Sequence, residues 1–363
     1  MPDGGAARSV SGVATSTQPD WLPTDVVDLE ALTRWGNREG LSGTVTDVTR
    51  IGGGTQNVVL RLRWDGRDLV LRRPPEHPRP GSDRTLLREI RVLSALAGTD
   101  VPHPGFVAGC TDTDVLGVVF YLMEAVDGDN PGEELGEPYR SDADARYRAA
   151  LDTATAIARL AAVDHEAIGL GDLGRPDGFL ERQVSRWLDH LASYDQVPEY
   201  RGTRLPHVGE LADWLRDHLP QQSRPGLVHG DYHLNNVLLD PVTPRVAAVV
   251  DWEMCTVGDP LLDLGWLLVT WPNGHGDEAM TGGRLAELGG LPGRDELVEA
   301  YARGSDRDLS AVDWYTVLAG FKLAIVIEGT YARSLAGQAP PEVGLRLHRS
   351  AVARLEYAAT LTR

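Results

Sequence analysis

Residues 229–236 read His-Gly-Asp-Tyr-His-Leu-Asn-Asn, a segment whose side chains could transfer a phosphoryl group. Transfer to a hydroxyl needs a carboxylate that orients the hydroxyl and accepts its proton, and it needs oxygen ligands that hold Mg²⁺ on the phosphate. Asp231 and Asn236 could supply that carboxylate and one such ligand. Asp251 directly follows the apolar run 246–250, and a carboxylate at the end of a buried strand projects into a cleft. We therefore predict that Asp231 is catalytic and that Asn236 and Asp251 bind the metal.

A glycine run far upstream could approach phosphates. Gly52, Gly53, Gly54 and Thr55 precede a predicted strand at 58–62. Glycine lets backbone N–H groups come close to a phosphate, because it has no side chain. Taken alone, three glycines more often form a hairpin turn. Combined with the other elements of this chain, they are interpreted as an ATP-binding loop.

Two kinds of periodicity divide the chain. The first part alternates between apolar and polar residues with period two, as strands do, around one helical stretch. Beyond about residue 124, helical spacing dominates. The predicted strands lie within 45–71, 106–110 and 117–123, and the predicted helices span about 25–38, 82–97, 143–163, 178–194, 208–218 and most of the chain after 261.

This pattern predicts an α+β fold with two lobes. A small antiparallel-sheet N-lobe would occupy residues 25–123 and bind the nucleotide. A larger helical C-lobe, residues 124–363, would carry the catalytic loop and the acceptor site. Residues 1–24 are small, polar and aperiodic, so we expect a disordered leader there.

The segments HGDYHLNN, VVDWE and GDPLLDLGW together resemble the aminoglycoside phosphotransferase and choline kinase-like families. The resemblance implies a protein kinase-like fold with ATP between the lobes. It implies that Asp231 is the catalytic aspartate and that Asp251 takes the role of the aspartate in the DFG motif of protein kinases. It gives His229, Asp259 and Asp263 a supporting role around the catalytic loop. The alternative, a capped turn that happens to contain a histidine and an aspartate, does not account for the ordered partners.

Protein kinases place a lysine on the third strand and pair it with a glutamate on the following helix. Arg72 and Glu89 occupy these places here. A guanidinium can bridge phosphate and carboxylate, although its planar fork is wider than an ammonium. The whole sequence contains one lysine, Lys322, so a general preference for arginine explains the exchange; loss of activity would explain it too. Arg73, on the opposite face of the strand, is the second choice for the phosphate-binding cation, and Glu89 could instead be a solvated charge.

Residues 120–128 resemble the hinge between the lobes, where backbone groups hold adenine. By position, these groups would be the carbonyl of Glu124 and the N–H of Val126, with Met123 lining the adenine pocket. The alternative is a plain strand that runs into a turn.

A narrower resemblance covers most of the chain. The segments VLRRPP, ERQVSRW, VDWEMCTVGDP and EGTYARSLAG look like the kinase-like domain that is fused to some acyl-CoA dehydrogenases. In that branch, arginine at the third-strand position is usual, and the expected acceptor shifts from aminoglycosides toward hydroxylated acids or acyl thioesters. Side chains of the C-lobe could bind a carboxylate or phosphate of the acceptor, although surface or packing roles fit them equally well. The candidates are Arg182, Arg186, Tyr331 and Arg333.

Charge and composition limit the partners. The formal net charge is −18, and an acidic surface repels nucleic-acid phosphates and anionic membranes. The sequence has no apolar run of about 18 residues that could span a membrane, and its two cysteines are too few for a disulfide framework. We therefore expect a cytoplasmic protein that binds a small-molecule acceptor and neither nucleic acid nor membrane.

These observations predict an ATP- and Mg²⁺-dependent phosphotransferase that acts on a hydroxyl of a small molecule. Two alternatives remain. A catalytically silent nucleotide-binding protein would act through a partner. A kinase that phosphorylates proteins is disfavoured, because the sequence has no activation segment of the DFG-to-APE kind.

Overall fold

The computed structural model describes residues 18–19, 21–51, 57–75, 77, 81–200, 205–221, 223–272 and 283–363. The chain folds into two compact units. Unit 1 comprises the residues up to Ile90 together with Gly105–Ala125, and unit 2 comprises Arg91–Pro104 and Val126–Arg363. The boundary expected between residues 123 and 124 falls two residues before the division at Ala125. Residues 91–104, which the sequence placed in the N-lobe, belong to unit 2.

The described residues of unit 1 form a five-stranded antiparallel sheet with helices beside it. Its elements are α1 Leu29–Arg38, β1 Val45–Arg50, β2 Val58–Trp64, β3 Arg67–Arg73, β4 Phe106–Cys110, α3 Thr113–Leu116, β5 Phe120–Glu124 and the first part of α2 Ser82–Leu96, whose residues 91–96 belong to unit 2. The strands pair in the order β1-β2-β3-β5-β4. This order places β3 at the centre of the sheet, between β2 and β5.

The core of unit 1 follows from the alternation seen in the sequence. Every second residue of β2 from Val58 to Trp64 is buried, because successive side chains of a strand point to opposite faces. Helix α1 starts after Asp28, whose side chain accepts the first free N–H groups of the helix. Trp35 of this helix packs edge-on against Phe120, with 4.7 Å between ring centroids.

The segment before α1 is structured in part. Leu22 is only 4% exposed and belongs to the core of unit 1. The amide of Gln18 donates hydrogen bonds to the carbonyls of Leu22 and Val27 at 2.6 and 2.9 Å. Residues 18, 19 and 21–24 therefore fold against the sheet, where the sequence predicted a disordered leader; residues 1–17 and 20 lie outside the described residues.

Unit 2 is mainly helical. Its elements are α4 Ala143–Ala162, α5 Glu181–Ala192, α6 Val208–Asp217, β6 Gly226–Val228, β7 Val237–Leu239, β8 Val246–Val249, β9 Thr256–Gly258, α7 Leu261–Thr270, α8 Gly283–Leu288, α9 Arg294–Arg303, α10 Val312–Leu335 and α11 Pro341–Thr360. Helix α10 is buried along almost its whole length and packs against α5, α7 and α11. A helix that is apolar on every side belongs inside a bundle.

Two short antiparallel ribbons in unit 2 carry the candidate catalytic residues. β6 pairs with β9, and β7 pairs with β8. The segment 229–236 connects β6 to β7, and residues 250–255 connect β8 to β9. Both connections therefore start and end on the same pair of ribbons.

The elements agree with the sequence pattern in type and order. The predicted helices at 82–97, 143–163 and 208–218 are present with ends shifted by one residue, and the strand at 106–110 has the predicted bounds. Among the residues that the structure describes, no helix combines the length and apolar character needed to cross a bilayer. The cytoplasmic location stays a prediction.

Candidate active site

The connection between β6 and β7 is held in place by His229. This residue is fully buried. Its Nε2 lies 3.0 Å from the carbonyl oxygen of Val250, and its Nδ1 accepts the N–H of Asp231 at 3.4 Å. The ring also meets Trp252 edge-on, 4.9 Å away. His229 thus ties the loop that carries Asp231 to the end of the strand that precedes Asp251.

Asp263, in the first turn of α7, holds the same loop through its carboxylate. Its carboxylate accepts the backbone N–H of His229 at 2.6 Å and that of Gly230 at 2.9 Å. Burial raises the pKa of Asp263, and these two hydrogen bonds oppose that rise. Asp259 does not contact this loop through these hydrogen bonds: it accepts the N–H of Leu261 at 3.0 Å and the hydroxyl of Tyr315 at 2.8 Å.

Asp231 is an ionised carboxylate in this loop. Its Oδ2 lies 3.5 Å from Nε2 of His233 and 3.3 Å from the amide nitrogen of Asn236. Burial raises the pKa of Asp231, but the hydrogen bond with His233 and the electrostatic interactions with His233 and Lys322 outweigh it, so the pKa falls from 3.8 to about 2. The group is therefore a hydrogen-bond acceptor at any pH near neutrality.

Asn236 and Asp251 lie at the same end of the β7–β8 ribbon. The N–H of Val250 donates to the carbonyl of Asn236 at 2.9 Å, directly beyond the pairing of Val237 with Val249. The amide nitrogen of Asn236 donates to the Asp231 carbonyl at 2.8 Å, which leaves its amide oxygen on the other branch of the side chain. Oxygen atoms of this kind are what Mg²⁺ prefers, so these two residues fit the metal that the sequence predicted.

The backbone at Asp251 is unusual. Its φ of 66° and ψ of 63° lie in the left-handed region, which residues other than glycine, asparagine and aspartate rarely adopt. Such strain is concentrated at functional sites. The carboxylate oxygens of Asp251 and Glu253 lie within 4.8 Å of each other, close enough for Glu253 to assist a metal, as the sequence left open.

Lys322 of α10 also reaches the catalytic loop, and sequence analysis did not assign it a role. Its Nζ donates to the carbonyl of Gly230 at 3.0 Å. The same nitrogen lies 4.2 Å from the ring centroid of Trp266 and 5.5 Å from that of Trp187. The only signal in the sequence was a single charge inside an apolar helical run.

In unit 1, Arg72 and Glu89 form the predicted pair. Nε of Arg72 lies 2.9 Å from Oε2 of Glu89, and Nη2 donates to Oε1 at 3.2 Å. The Arg72 and Glu89 side chains are 12% and 1% exposed, so Glu89 is not a solvated helix charge. Tyr121 on β5, which sequence analysis missed, donates its hydroxyl to Oε2 of Glu89 at 2.6 Å. Arg73 is buried and donates to the carbonyl of Pro74.

The predicted adenine-binding residues end β5 and follow it. Met123 and Glu124 are its last two residues, and the N–H of Glu124 already donates to the carbonyl of Gly105 at 2.7 Å. The Glu124 side chain lies 3.5 Å from Arg67 at the surface. Val126 begins the main segment of unit 2. Gly52, Gly53, Gly54 and Thr55 lie outside the described residues.

The four acceptor candidates occupy different surroundings. The guanidinium of Arg182 donates hydrogen bonds to the backbone carbonyls of residues 175 and 177. Arg333 donates to the hydroxyl of Thr330 at 2.7 Å. Tyr331 is buried and stacks on His348, with centroids 4.5 Å apart. The guanidinium of Arg186 lies 5.2 Å from the centroid of the Trp187 ring, and its charge acts on Lys322.

The sheet unit, the helical unit and the loop containing Asp231 define a two-lobed, protein kinase-like fold. The sequence of residues 47–315 matches the phosphotransferase enzyme family. The chain belongs to this family.

Two curated relatives carry the narrower resemblance. Acyl-CoA dehydrogenase family member 11 of Gallus gallus is 33% identical over 309 residues, which is 81% of this chain and 38% of the relative. Acyl-CoA dehydrogenase family member 10 of Mus musculus is 30% identical over 315 residues, 83% of this chain and 28% of the relative. The predicted resemblance to this branch is confirmed, and the chain spans less than half the length of these relatives.

Solved structures agree with the fold. A candidate aminoglycoside phosphotransferase of Ralstonia eutropha is 32% identical, with a TM-score of 0.73 over 92% of this chain and 98% of that chain. Aminoglycoside phosphotransferase APH(4)-Ia, crystallised in a ternary complex with ADP and hygromycin B, is 16% identical, with a TM-score of 0.59 over 91% of this chain and 98% of that chain. At that identity the second structure shows the fold alone.

Proposed function

We propose that this protein is an ATP- and Mg²⁺-dependent phosphotransferase that phosphorylates a hydroxyl of a small molecule. The observation that carries the proposal is the convergence of Asp231, Asn236 and Asp251 at one end of the β7–β8 ribbon, with Asp231 hydrogen-bonded to Asn236. Asp231 would be the carboxylate for the acceptor hydroxyl, and Asn236 and Asp251 would be oxygen ligands for a metal; these are the two requirements of phosphoryl transfer.

Asp231 would orient the acceptor hydroxyl toward the γ-phosphorus and receive its proton. Because the pKa of Asp231 is about 2, the carboxylate is a weak base. We therefore assign it mainly to orientation, with proton transfer completed late, as the bond from oxygen to phosphorus forms and the bond from ADP to phosphorus breaks. The products would be the phosphorylated acceptor and ADP.

Asn236 and Asp251 would hold Mg²⁺ against the phosphate oxygens. The ion neutralises charge that moves onto ADP during the transfer. Arg72 would contact the phosphates while Glu89 and Tyr121 fix its guanidinium, since a guanidinium with both branches positioned can bind phosphate and carboxylate at once. The match of residues 47–315 to the phosphotransferase enzyme family supports the nucleotide assignment.

We favour a hydroxy acid or an acyl thioester over an aminoglycoside as the acceptor. The curated relatives are acyl-CoA dehydrogenase family members, whose substrates carry an acyl thioester. Arg186 on α5 carries a positive charge that acts on Lys322, and a cation suits a negatively charged acceptor better than a polycationic antibiotic.

The test is ATP consumption over a panel of hydroxy acids, acyl thioesters, aminoglycosides and amino alcohols, with Asp231→Asn as the blank. The matched control is Asp213→Asn, which neutralises an aspartate that is 76% exposed on α6. We expect turnover from the parent and control but none from Asp231→Asn, while all three gain thermal stability from ATP and Mg²⁺. Equal turnover by Asp231→Asn would contradict its role, and nucleotide binding without any transfer would favour the silent binding protein.

A further inference from the structure

Lys322 is the chain's only lysine, among 35 lysine and arginine residues in all. It lies in the apolar stretch of α10, where its ammonium sits against the indole rings of Trp187 and Trp266 and donates to the Gly230 carbonyl at 3.0 Å. A cation over aromatic rings is attracted by the electrons of the ring faces. The site is therefore built for a positive charge.

A general preference for arginine does not explain this position. Every other long cation of the chain is arginine, so lysine here is an exception to the composition. An ammonium is compact and donates from one point, whereas a guanidinium is a wide planar fork. A buried charge is also costly, and an apolar residue would pack among these helices at lower cost.

We propose that Lys322 is a positioning residue for phosphoryl transfer: its ammonium, which lies against the indole rings of Trp187 and Trp266, fixes the Gly230 carbonyl and thereby the direction of Asp231. This inference rests on the proposed function of the site. It adds to that function the residue, Lys322, whose positive charge would order the loop that carries Asp231.

The hydrogen bonds around Gly230 show how the loop is fixed. Gly230 has a φ of 89°, in the left-handed region that favours glycine. Its N–H is held by Asp263 at 2.9 Å and its carbonyl by Lys322 at 3.0 Å. The peptide planes on both sides of Gly230 are thus restrained, and the second of these planes leads directly into Asp231. Removal of Lys322 would leave that plane held by the longer hydrogen bond from the Asp231 N–H to Nδ1 of His229, at 3.4 Å.

Charges from three elements act on Lys322. Burial lowers its pKa, and the carboxylates of Asp231 in the catalytic loop and Asp263 in α7 oppose this change. Arg186 in α5 lowers it further, so that the pKa falls from 10.5 to about 8. The ammonium would lose its proton at mildly alkaline pH, a range that enzyme assays reach easily.

The first test compares Lys322→Met with Lys322→Arg. Methionine keeps the length of the side chain and its contact with the indoles but removes the charge; arginine keeps the charge and does not titrate. We expect Lys322→Met to lower kcat by about ten- to a hundredfold, the cost of a misplaced reacting group, with little change in the KM of the acceptor. Lys322→Arg should recover only part of this loss, because the guanidinium keeps the charge but is a wider donor than the ammonium; its remaining kcat should not fall above pH 8 as that of the parent does. A raised acceptor KM with normal kcat would overturn the inference, because Lys322 would then be a substrate contact.

The second test needs no activity. Protein labelled biosynthetically with ¹³C at lysine Cε and free of lysine-containing tags gives one NMR signal, from Lys322. We expect its titration midpoint near pH 8 and a further fall of about one unit in Asp231→Asn, because a nearby opposite charge stabilises the charged form. An ordinary midpoint near 10.5 that Asp231→Asn leaves unchanged would overturn the inference even in an active enzyme. Absence of transfer to every acceptor, with the coupled titration present, would instead overturn the proposed function alone.

Discussion

Substitution of Asp263 by asparagine tests how the loop that carries Asp231 is held in place, because it alters the hydrogen bonds to that loop and leaves Asp231 itself unchanged. The carboxylate accepts two backbone N–H groups, from His229 and Gly230. An asparagine side chain offers one oxygen and one NH₂ group, so it can accept only one of them and turns a donor toward the other. One buried N–H is left without an acceptor.

The expected loss of stability follows from two opposing effects. A hydrogen bond to a charged group contributes about 1.5–3 kcal/mol, and a buried donor left unpaired costs about 1–3 kcal/mol. The neutral amide avoids part of the cost of burying a charge, which is the cost that raises the pKa of Asp263. We therefore expect the free energy of unfolding to fall by about 2 kcal/mol, measured by urea denaturation.

The matched control is Asp259→Asn. This neighbouring aspartate is equally buried and also accepts two hydrogen bonds, from Leu261 and Tyr315, but neither comes from the catalytic loop. Both variants should lose stability, while only Asp263→Asn should lose more than about tenfold in kcat at a temperature where both remain folded. Equal kcat values for the two variants, or an Asp263→Asn protein as stable as the parent, would refute the reasoning.

Three further predictions concern charged side chains of the candidate site. Arg72→Met should lower the free energy of unfolding by about 3–5 kcal/mol, because it leaves the carboxylate of Glu89 buried without its ion pair. The double variant Arg72→Met/Glu89→Gln should recover part of this lost stability, because the buried carboxylate is then neutral. A double-mutant cycle measured by urea denaturation checks both values. A lowered pKa of Lys322 means that the unfolded chain binds more protons than the folded one between pH 8 and 10.5. The parent should therefore gain up to about 3 kcal/mol of stability relative to Lys322→Met over that pH range, and a pH-independent difference in denaturation would contradict this. Asp251→Asn should raise the Mg²⁺ concentration for half-maximal activity by about tenfold or more, and an unchanged metal dependence would remove Asp251 from the ligands.

The placement of the candidate catalytic residues was predictable because their motif is local in sequence. Asp231 and Asn236 lie on one short segment, and the apolar run before Asp251 indicates a strand that ends beside it, as the hydrogen bond from the Val250 N–H to the Asn236 carbonyl shows. The order of strand and helix also predicted that Arg72 and Glu89 pair, and the structure places their charged groups 2.9 Å apart.

The partners that sequence analysis missed come from elements distant in sequence. Tyr121 reaches Glu89 from β5, and Lys322 reaches Gly230 from α10, 92 residues further along the chain. Neither contact leaves a periodic pattern or a motif, because each depends on how strands and helices pack. The predicted disordered leader included too many residues for a related reason. Leu22 is one apolar residue in a polar segment, and its burial depends on packing against the core of unit 1.

The left-handed backbone at Asp251 limits how this position can change during evolution. Glycine and asparagine adopt that conformation as readily as aspartate, and each is one nucleotide away from an aspartate codon. If Asp251 binds the metal as proposed, a single mutation to glycine would remove this ligand while the polypeptide still folds, whereas asparagine would keep one oxygen there. Homologous genes with glycine at this position are expected to encode stable proteins that keep a nucleotide-binding role without turnover.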